Sequence, residues 1–178
     1  MTQHDARTGA TISPELIDLL REKFVLDWDG IHGVAHWSRV RNNGLMLAGR
    51  NGANARIVEY FAFLHDACRC NDGRDPEHGS RAALLARHIR KRYLDLDDGE
   101  FFILVTALDG HSDKHDHHDM TIKSCWDADR LDLARLGIKP DPSRLCTAEA
   151  RDPLMIAHAG ENARAWIKAH QASLAHAS

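Results

Sequence analysis

The sequence predicts an all-α fold, on three observations. Apolar residues recur at steps of three and four along most of the chain. β-Branched residues are sparse. Helix-start signals stand ahead of the apolar stripes. With 178 residues, 43% of them hydrophobic, the chain can build one domain with a real core. We expect a flexible tail over residues 1–12 and a single helical bundle over 13–178, with no internal repeat and no separating linker.

Ser13-Pro14-Glu15 reads as a cap, a proline at the first helical position and an acid in the first turn. Leu16, Ile17, Leu20 and Phe24 then form a stripe. Asp27, Asp29, Gly30 and Gly33 interrupt it. A second helix is expected from about Val34 to Arg50, closed by Gly52. A third places Ile57, Phe61, Leu64 and Cys68 on one face and contains His65 and Asp66. Cys70 to Asp75 is a loop, and Asp75-Pro76-Glu77 opens a fourth helix with Ala82, Leu85, Ile89 and Tyr93 inward. Asp97 or Asp98 caps a fifth, carrying Phe101, Leu104, Val105 and Leu108 into a histidine-rich loop. A sixth is expected from near Asp119 to Gly137. Pro140 and Pro142 impose an irregular connection. A short helix over Thr147 to Arg151 and a last amphipathic one from Glu161 to about Leu174 complete the chain.

Bulk properties exclude several functions. A formal net charge of −3 gives no electrostatic case for a nucleic-acid patch or an anionic membrane surface. No apolar run has the length of a membrane span. The first thirteen residues are polar and lack the apolar core of a signal peptide, so the expected compartment is the cytoplasm. Cys68, Cys70, Cys125 and Cys146 lack C-x-x-C spacing and read as reduced thiols. Thirteen histidines are an excess, and four of them fall within His111 to His118. There His115, His117 and His118 alternate with Asp113, Asp116 and Asp119, which reads as a solvated loop.

Three places put an ionisable side chain on an apolar helical face. His65 leans toward the interior with Asp66 beside it. His36 shares a face with Val40. Asp129 occupies the middle of the stripe Ile122, Trp126, Leu133, Leu136. A buried carboxylate needs a cation or several donors. The alternatives are an arginine partner, such as Arg39 or Arg81, and a metal ion. Two imidazoles and two carboxylates from three helices make a mixed hard donor set suited to Mn²⁺, Fe²⁺, Mg²⁺, Co²⁺ or Zn²⁺. An ion held this way leaves positions for water and substrate and suits hydrolysis.

His36, then His65-Asp66, then Asp129 in the context DADRLDL resembles the H…HD…D signature of the HD superfamily of metal-dependent phosphohydrolases. The resemblance spans about Ile31 to Leu136 and most resembles small HD proteins of unassigned substrate. It implies an all-helical HD-type bundle, a divalent cofactor on His36, His65, Asp66 and Asp129, and hydrolysis of a phosphorylated small molecule, nucleotide-like in character. The sequence departs from several subfamilies. Arg69 stands where nucleotidases of this superfamily often have a Glu, and the Gly-Tyr-Pro motif of cyclic-dinucleotide phosphodiesterases is absent.

Further site residues follow from position. His111, His78 and Asp72 are expected to handle protons and charge, and Arg39 and Arg81 to clamp phosphate. The resemblance leaves two rivals open. His78 or His88 with His111 could complete a two-metal centre, as in di-iron HD oxygenases. The chain could also be a non-catalytic HD module that binds a metal or nucleotide. The last helix offers a face for a homodimer.

Overall fold

Ser13 starts the first helix as its sequence predicts, its hydroxyl accepting from the Leu16 N–H at 3.2 Å. The structure is a computed structural model that describes residues 10–176, with side chains to residue 173. Most of the expected tail lies outside the described residues. Among the described residues eight α-helices follow one another: α1 (Pro14–Lys23), α2 (Val34–Asn51), α3 (Ala55–Leu64), α4 (His78–Tyr93), α5 (Asp98–Gly110), α6 (Met120–Leu131), α7 (Ala148–Arg151) and α8 (Pro153–His176). Among the described residues there is no strand. No helix among the described residues is long and apolar enough to cross a membrane.

The capping chemistry explains most boundaries. Asp97 closes a capping box with Glu100 at the start of α5. Asn54 and Asp119 cap α3 and α6 through their side chains. Gly52 ends α2 in the left-handed conformation, at φ 77°.

Helices α2, α3, α5 and α6 wrap one apolar core around Trp37, Phe61, Leu64, Leu104, Leu108 and Trp126. A smaller cluster, including Leu47, Leu131, Leu145, Met155 and Ile156, joins the C-terminal segment to α2 and α6. Gly44 lets α2 approach the other two ligand-bearing segments, since a Cβ there would stand 2.3 Å from Val58 Cγ1 and 3.3 Å from the Ala128 methyl. The adjacent Asn43 binds the Ala128 carbonyl at 3.2 Å. Asp127, fully buried, accepts from the Cys146 and Thr147 N–H groups and the Thr147 hydroxyl, which pins the irregular C-terminal connection to α6. The four cysteines are free thiols.

Three expectations need correction. The His65-Asp66 pair does not lie within a helix: α3 ends at Leu64, His65 is its C-cap, and Asp66 opens the turn that follows. The sixth helix does not reach Gly137. It ends at Leu131 and passes into a 3₁₀ segment, Asp132–Leu136. A 3₁₀ turn has about 3.0 residues rather than 3.6, so side chains rotate off the α-helical stripe. Leu136, expected inward, is 39% exposed, and Asp132, expected off the stripe, is fully buried. The last helix begins at Pro153, eight residues before Glu161. A proline is tolerated in the first turn, where its missing N–H costs nothing.

Candidate metal centre

Gly33 sets the entry to the site. A Cβ at this position would stand 2.0 Å from the Trp28 carbonyl oxygen, so the 27–33 turn closes only around glycine. The turn delivers His32 just before α2 and His36 in its first turn. The C-terminal end of α3 presents His65 and Asp66. The last turn of α6 contributes Asp129.

These groups converge. His36 Nε2 lies 3.0 Å from His65 Nε2, 3.6 Å from Asp66 Oδ2 and 3.4 Å from Asp129 Oδ1. His65 Nε2 lies 3.8 Å from Asp66 Oδ2 and 3.7 Å from Asp129 Oδ1. Ligands at about 2.1 Å from one ion stand roughly 3.0 Å apart along an octahedral edge, so one divalent ion fits these spacings after only slight contraction. His36, His65 and Asp66 are buried, whereas the Asp129 side chain is 23% exposed and marks the open side.

The ring protons point the Nε2 atoms at the candidate metal position. His36 Nδ1 donates to Asp132 at 2.7 Å, and His65 Nδ1 donates to the Ala62 carbonyl at 3.0 Å. Burial pushes the His65 pKa down to about 3 despite the Asp66 and Asp129 carboxylates nearby, so its ring is neutral near pH 7. Its Nε2 therefore presents a bare lone pair toward His36 Nε2. At 3.0 Å that lone pair needs a partner between the rings, and either a proton on His36 Nε2 or a metal cation provides one. Burial opposes ionisation of Asp66 and Asp129, but neighbouring imidazoles overcome it and hold both carboxyls well below the usual range. Both are anionic and ready to ligate.

A second constellation shares Asp66. His78 and His111 bring their Nε2 atoms to 2.8 Å, and Asp66 Oδ1 lies 3.3 Å from the first and 3.9 Å from the second. Here too each Nδ1 faces a carbonyl, that of Asp75 for His78 and that of Leu108 for His111. Burial disfavours charge on His111, yet hydrogen bonding to Asp66 outweighs it and raises the pKa. A proton or a second cation thus belongs between these rings, and Asp66 can bridge the two positions.

Other expected residues fall elsewhere. Asp72 is exposed in the loop after Cys70 and makes no hydrogen bond or ion pair to the cluster. The loop acid that matters is Asp75, which accepts from Cys70 N–H and Arg81 and whose carbonyl takes the His78 proton. Arg81 is committed to Asp75 and the Cys68 carbonyl. Arg39 is committed to Asp132, at 2.7 and 3.0 Å. The His115, His117 and His118 side chains belong to neither constellation.

Two cluster members escaped sequence reasoning. His32 reaches Asp66 Oδ2 at 2.8 Å, and its ligand atom lies within 4.8 Å of those of His36 and Asp66. Asp132 orients His36. The only sequence signals are the spacing of His32 and His36, four apart, and of Asp129 and Asp132, three apart.

No family model matches the chain. The fold is similar to that of a predicted HD superfamily hydrolase from an uncultured Thermotogales bacterium. The TM-score is 0.64 at 24% identity, over 90% of this chain and 91% of that one. This likeness is one of fold, and it agrees with the all-helical HD-type bundle expected from the sequence. The chain is also similar to ribonuclease Y of Rubrobacter xylanophilus, 25% identical over 88% of this chain. It spans only 29% of that protein's length.

Proposed function

We propose that this chain is a metal-dependent phosphohydrolase acting on a phosphate ester or anhydride of a small, nucleotide-like molecule. The observation that carries the reading is the convergence of the His36 and His65 Nε2 atoms, 3.0 Å apart, with Asp66 Oδ2 and Asp129 Oδ1 at 3.6 and 3.4 Å from His36 Nε2. His36, His65, Asp66 and Asp129 would hold the first divalent ion. When bound, such an ion supplies Lewis acidity toward a phosphoryl oxygen and lowers the pKa of water toward about 7.

The surrounding charge supports an anionic substrate. The buried carboxylates Asp66 and Asp132 and the partly exposed Asp129 are matched by three buried arginines, Arg39, Arg69 and Arg135. Arg39 pairs with Asp132 at 2.7 Å, Arg135 approaches Asp132 at 3.8 Å, and Arg69 approaches Asp66 at 3.9 Å. The protein shell is thus close to neutral, and each ion adds net positive charge facing the open side at Asp129. A cation-storage site would instead carry surplus carboxylates. His32, held on Asp66, and His111 sit where a proton can be delivered or received.

A second reading concerns metal number. The approach of the His78 and His111 Nε2 atoms to 2.8 Å, with Asp66 Oδ1 at 3.3 Å from the first, offers a second position for an ion that would displace the proton held there. Ions that share a carboxylate suit in-line displacement at phosphorus. If both were iron, the di-iron oxygenase chemistry of some HD proteins would enter. The ribonuclease name of the similar bacterial protein places phosphodiesters among the esters to be tried.

The test is a panel of phosphomonoesters, phosphodiesters and nucleotides with Mn²⁺, Mg²⁺, Co²⁺ and Fe²⁺, comparing wild type with Asp66→Ala. Metal-dependent turnover that disappears in the variant is expected. Equal turnover by both proteins would remove the hydrolase reading. Two irons per chain with oxygen consumed would favour the oxygenase.

A further inference from the structure

A cavity of about 230 Å³ opens directly onto the centre. Its inner wall includes Asp129 and His111, one group from each constellation, and Leu133, Pro140 and Leu145 give it apolar sides. Lys114, Arg130 and Arg144 also line it.

Arg130 shows how the cavity is built. Its guanidinium donates to the carbonyl of Arg144 at 3.2 Å, to the carbonyl of Lys114 and to Cys146 Sγ. The Cys146 thiol in turn donates to the His115 carbonyl at 3.2 Å. The loop after α5 and the connection after the 3₁₀ segment are thereby riveted to α6. Arg130 is spent on backbone, but the two residues whose carbonyls it holds are themselves cations. Among the described residues, neither the Lys114 ammonium nor the Arg144 guanidinium takes part in an ion pair, and both residues are exposed. The one other acid in the wall, Asp141, is committed to Ser143, accepting from its N–H at 2.9 Å and its hydroxyl at 2.8 Å. Asp141 keeps its negative charge and feels Arg144, so the wall sets Lys114, Arg130 and Arg144 against the carboxylates of Asp129 and Asp141, a balance of one positive charge before any metal ion is bound.

We infer that this cavity receives a second anionic group of the substrate, a phosphate or carboxylate distinct from the phosphoryl group at the metal centre, on Lys114 and Arg144. The inference rests on the hydrolase reading for the position of the first group. A guanidinium matches either oxyanion in a two-pronged fashion, and an ammonium adds a point charge. Arg130 is a positioning residue, because it acts through the backbones of the other two. The volume lies below the roughly 300 Å³ at which drug-sized pockets begin, so it accommodates one compact group. This subsite also replaces the expected clamps, since Arg39 and Arg81 are spent on Asp132 and Asp75.

The test is calorimetric binding to the Mn²⁺-loaded protein, using ligands that cannot be hydrolysed. Methylphosphonate carries one anionic group. Bisphosphonates joined by one to four methylenes carry a second phosphate-like group, and ω-phosphonocarboxylates carry a carboxylate. Wild type is expected to bind at least one two-headed series more tightly than methylphosphonate, and the better series identifies the second group. In Lys114→Ala/Arg144→Ala that margin should shrink by about ten-fold or more, the loss expected for a charge-assisted hydrogen bond. Lys114→Arg/Arg144→Lys should keep it. A margin absent from wild type, or unchanged in the alanine variant, would overturn the subsite. Because nothing here depends on turnover, a failure of the hydrolase reading would be separately visible in the substrate panel.

Discussion

Asp132 takes the Nδ1 proton of His36 at 2.7 Å, and so fixes which nitrogen of that ring faces the candidate metal position. The same carboxylate holds Arg39 through both oxygens. Arg39 in turn lies 4.7 Å from the ring centroid of Trp166 in α8, so the C-terminal helix packs against the group that orients the ligand. Asp132→Asn keeps the shape but weakens the acceptor and leaves Arg39 without its counter-charge. Metal affinity should fall about 10- to 100-fold. Titration with Mn²⁺, followed by its paramagnetic effect on water relaxation, checks this; unchanged affinity would show that the ring is oriented without Asp132.

Metal removal should destabilise the fold. An ion that binds only the native state at 100 times its dissociation constant contributes about 2.7 kcal/mol. Dialysis against a chelator should therefore lower Tm, and adding Mn²⁺ back should restore it. The same recovery should be missing in His65→Ala, which removes a ligand and opens a cavity beside Phe61.

The metal-free protein should show opposite titrations for two histidines. His65 has a folded pKa near 3, below its ordinary value of 6.5. Between those values the unfolded chain binds a proton that the folded chain refuses. Its contribution to stability is therefore full above about pH 6.5 and is lost as the pH falls below that. His111 has a raised pKa, so its contribution is full below 6.5 and is lost as the pH rises through the folded value. Ring-proton NMR should find His65 neutral at pH 5 and His111 still charged above pH 6.5. A charged His65 at pH 5 would contradict the burial argument.

Gly33→Ala should damage both stability and metal binding. The new methyl would meet Trp28 backbone, which has no rotamer to give way. Overpacking of this kind costs about 1–3 kcal/mol. The turn would shift His32 and His36 together, so thermal unfolding and Mn²⁺ affinity should fall in the same variant.

Asp127→Asn should separate stability from the site. Burial raises the Asp127 pKa, while donors from Cys146 and Thr147 work in the opposite direction. An amide nitrogen set against those donors costs about 1–3 kcal/mol. Denaturant unfolding should show that loss, with metal stoichiometry unaltered.

Much of the architecture could be read from the chain itself. Ser13, Asn54, Asp97 and Gly52 act locally, through their own side chains or backbone angles, and each marks a helix end wherever the rest of the chain goes. The apolar stripes give the helical class for the same reason. They also aim His36, His65 and Asp129 inward, because a side chain's direction on a helix follows from its place in the period. Tertiary structure alone decided the rest. Asp132 is recruited only because α2 packs against this segment and brings His36 and Arg39 to its carboxylate. His32 reaches Asp66 across 34 positions because Gly33 lets a turn fold back on Trp28. Lys114 and Arg144 come to share one cavity because the Arg130 guanidinium binds the backbone of both. Helix formation depends on neighbours a few residues apart, whereas ion pairs, ring protons and cavities depend on which distant segments pack together.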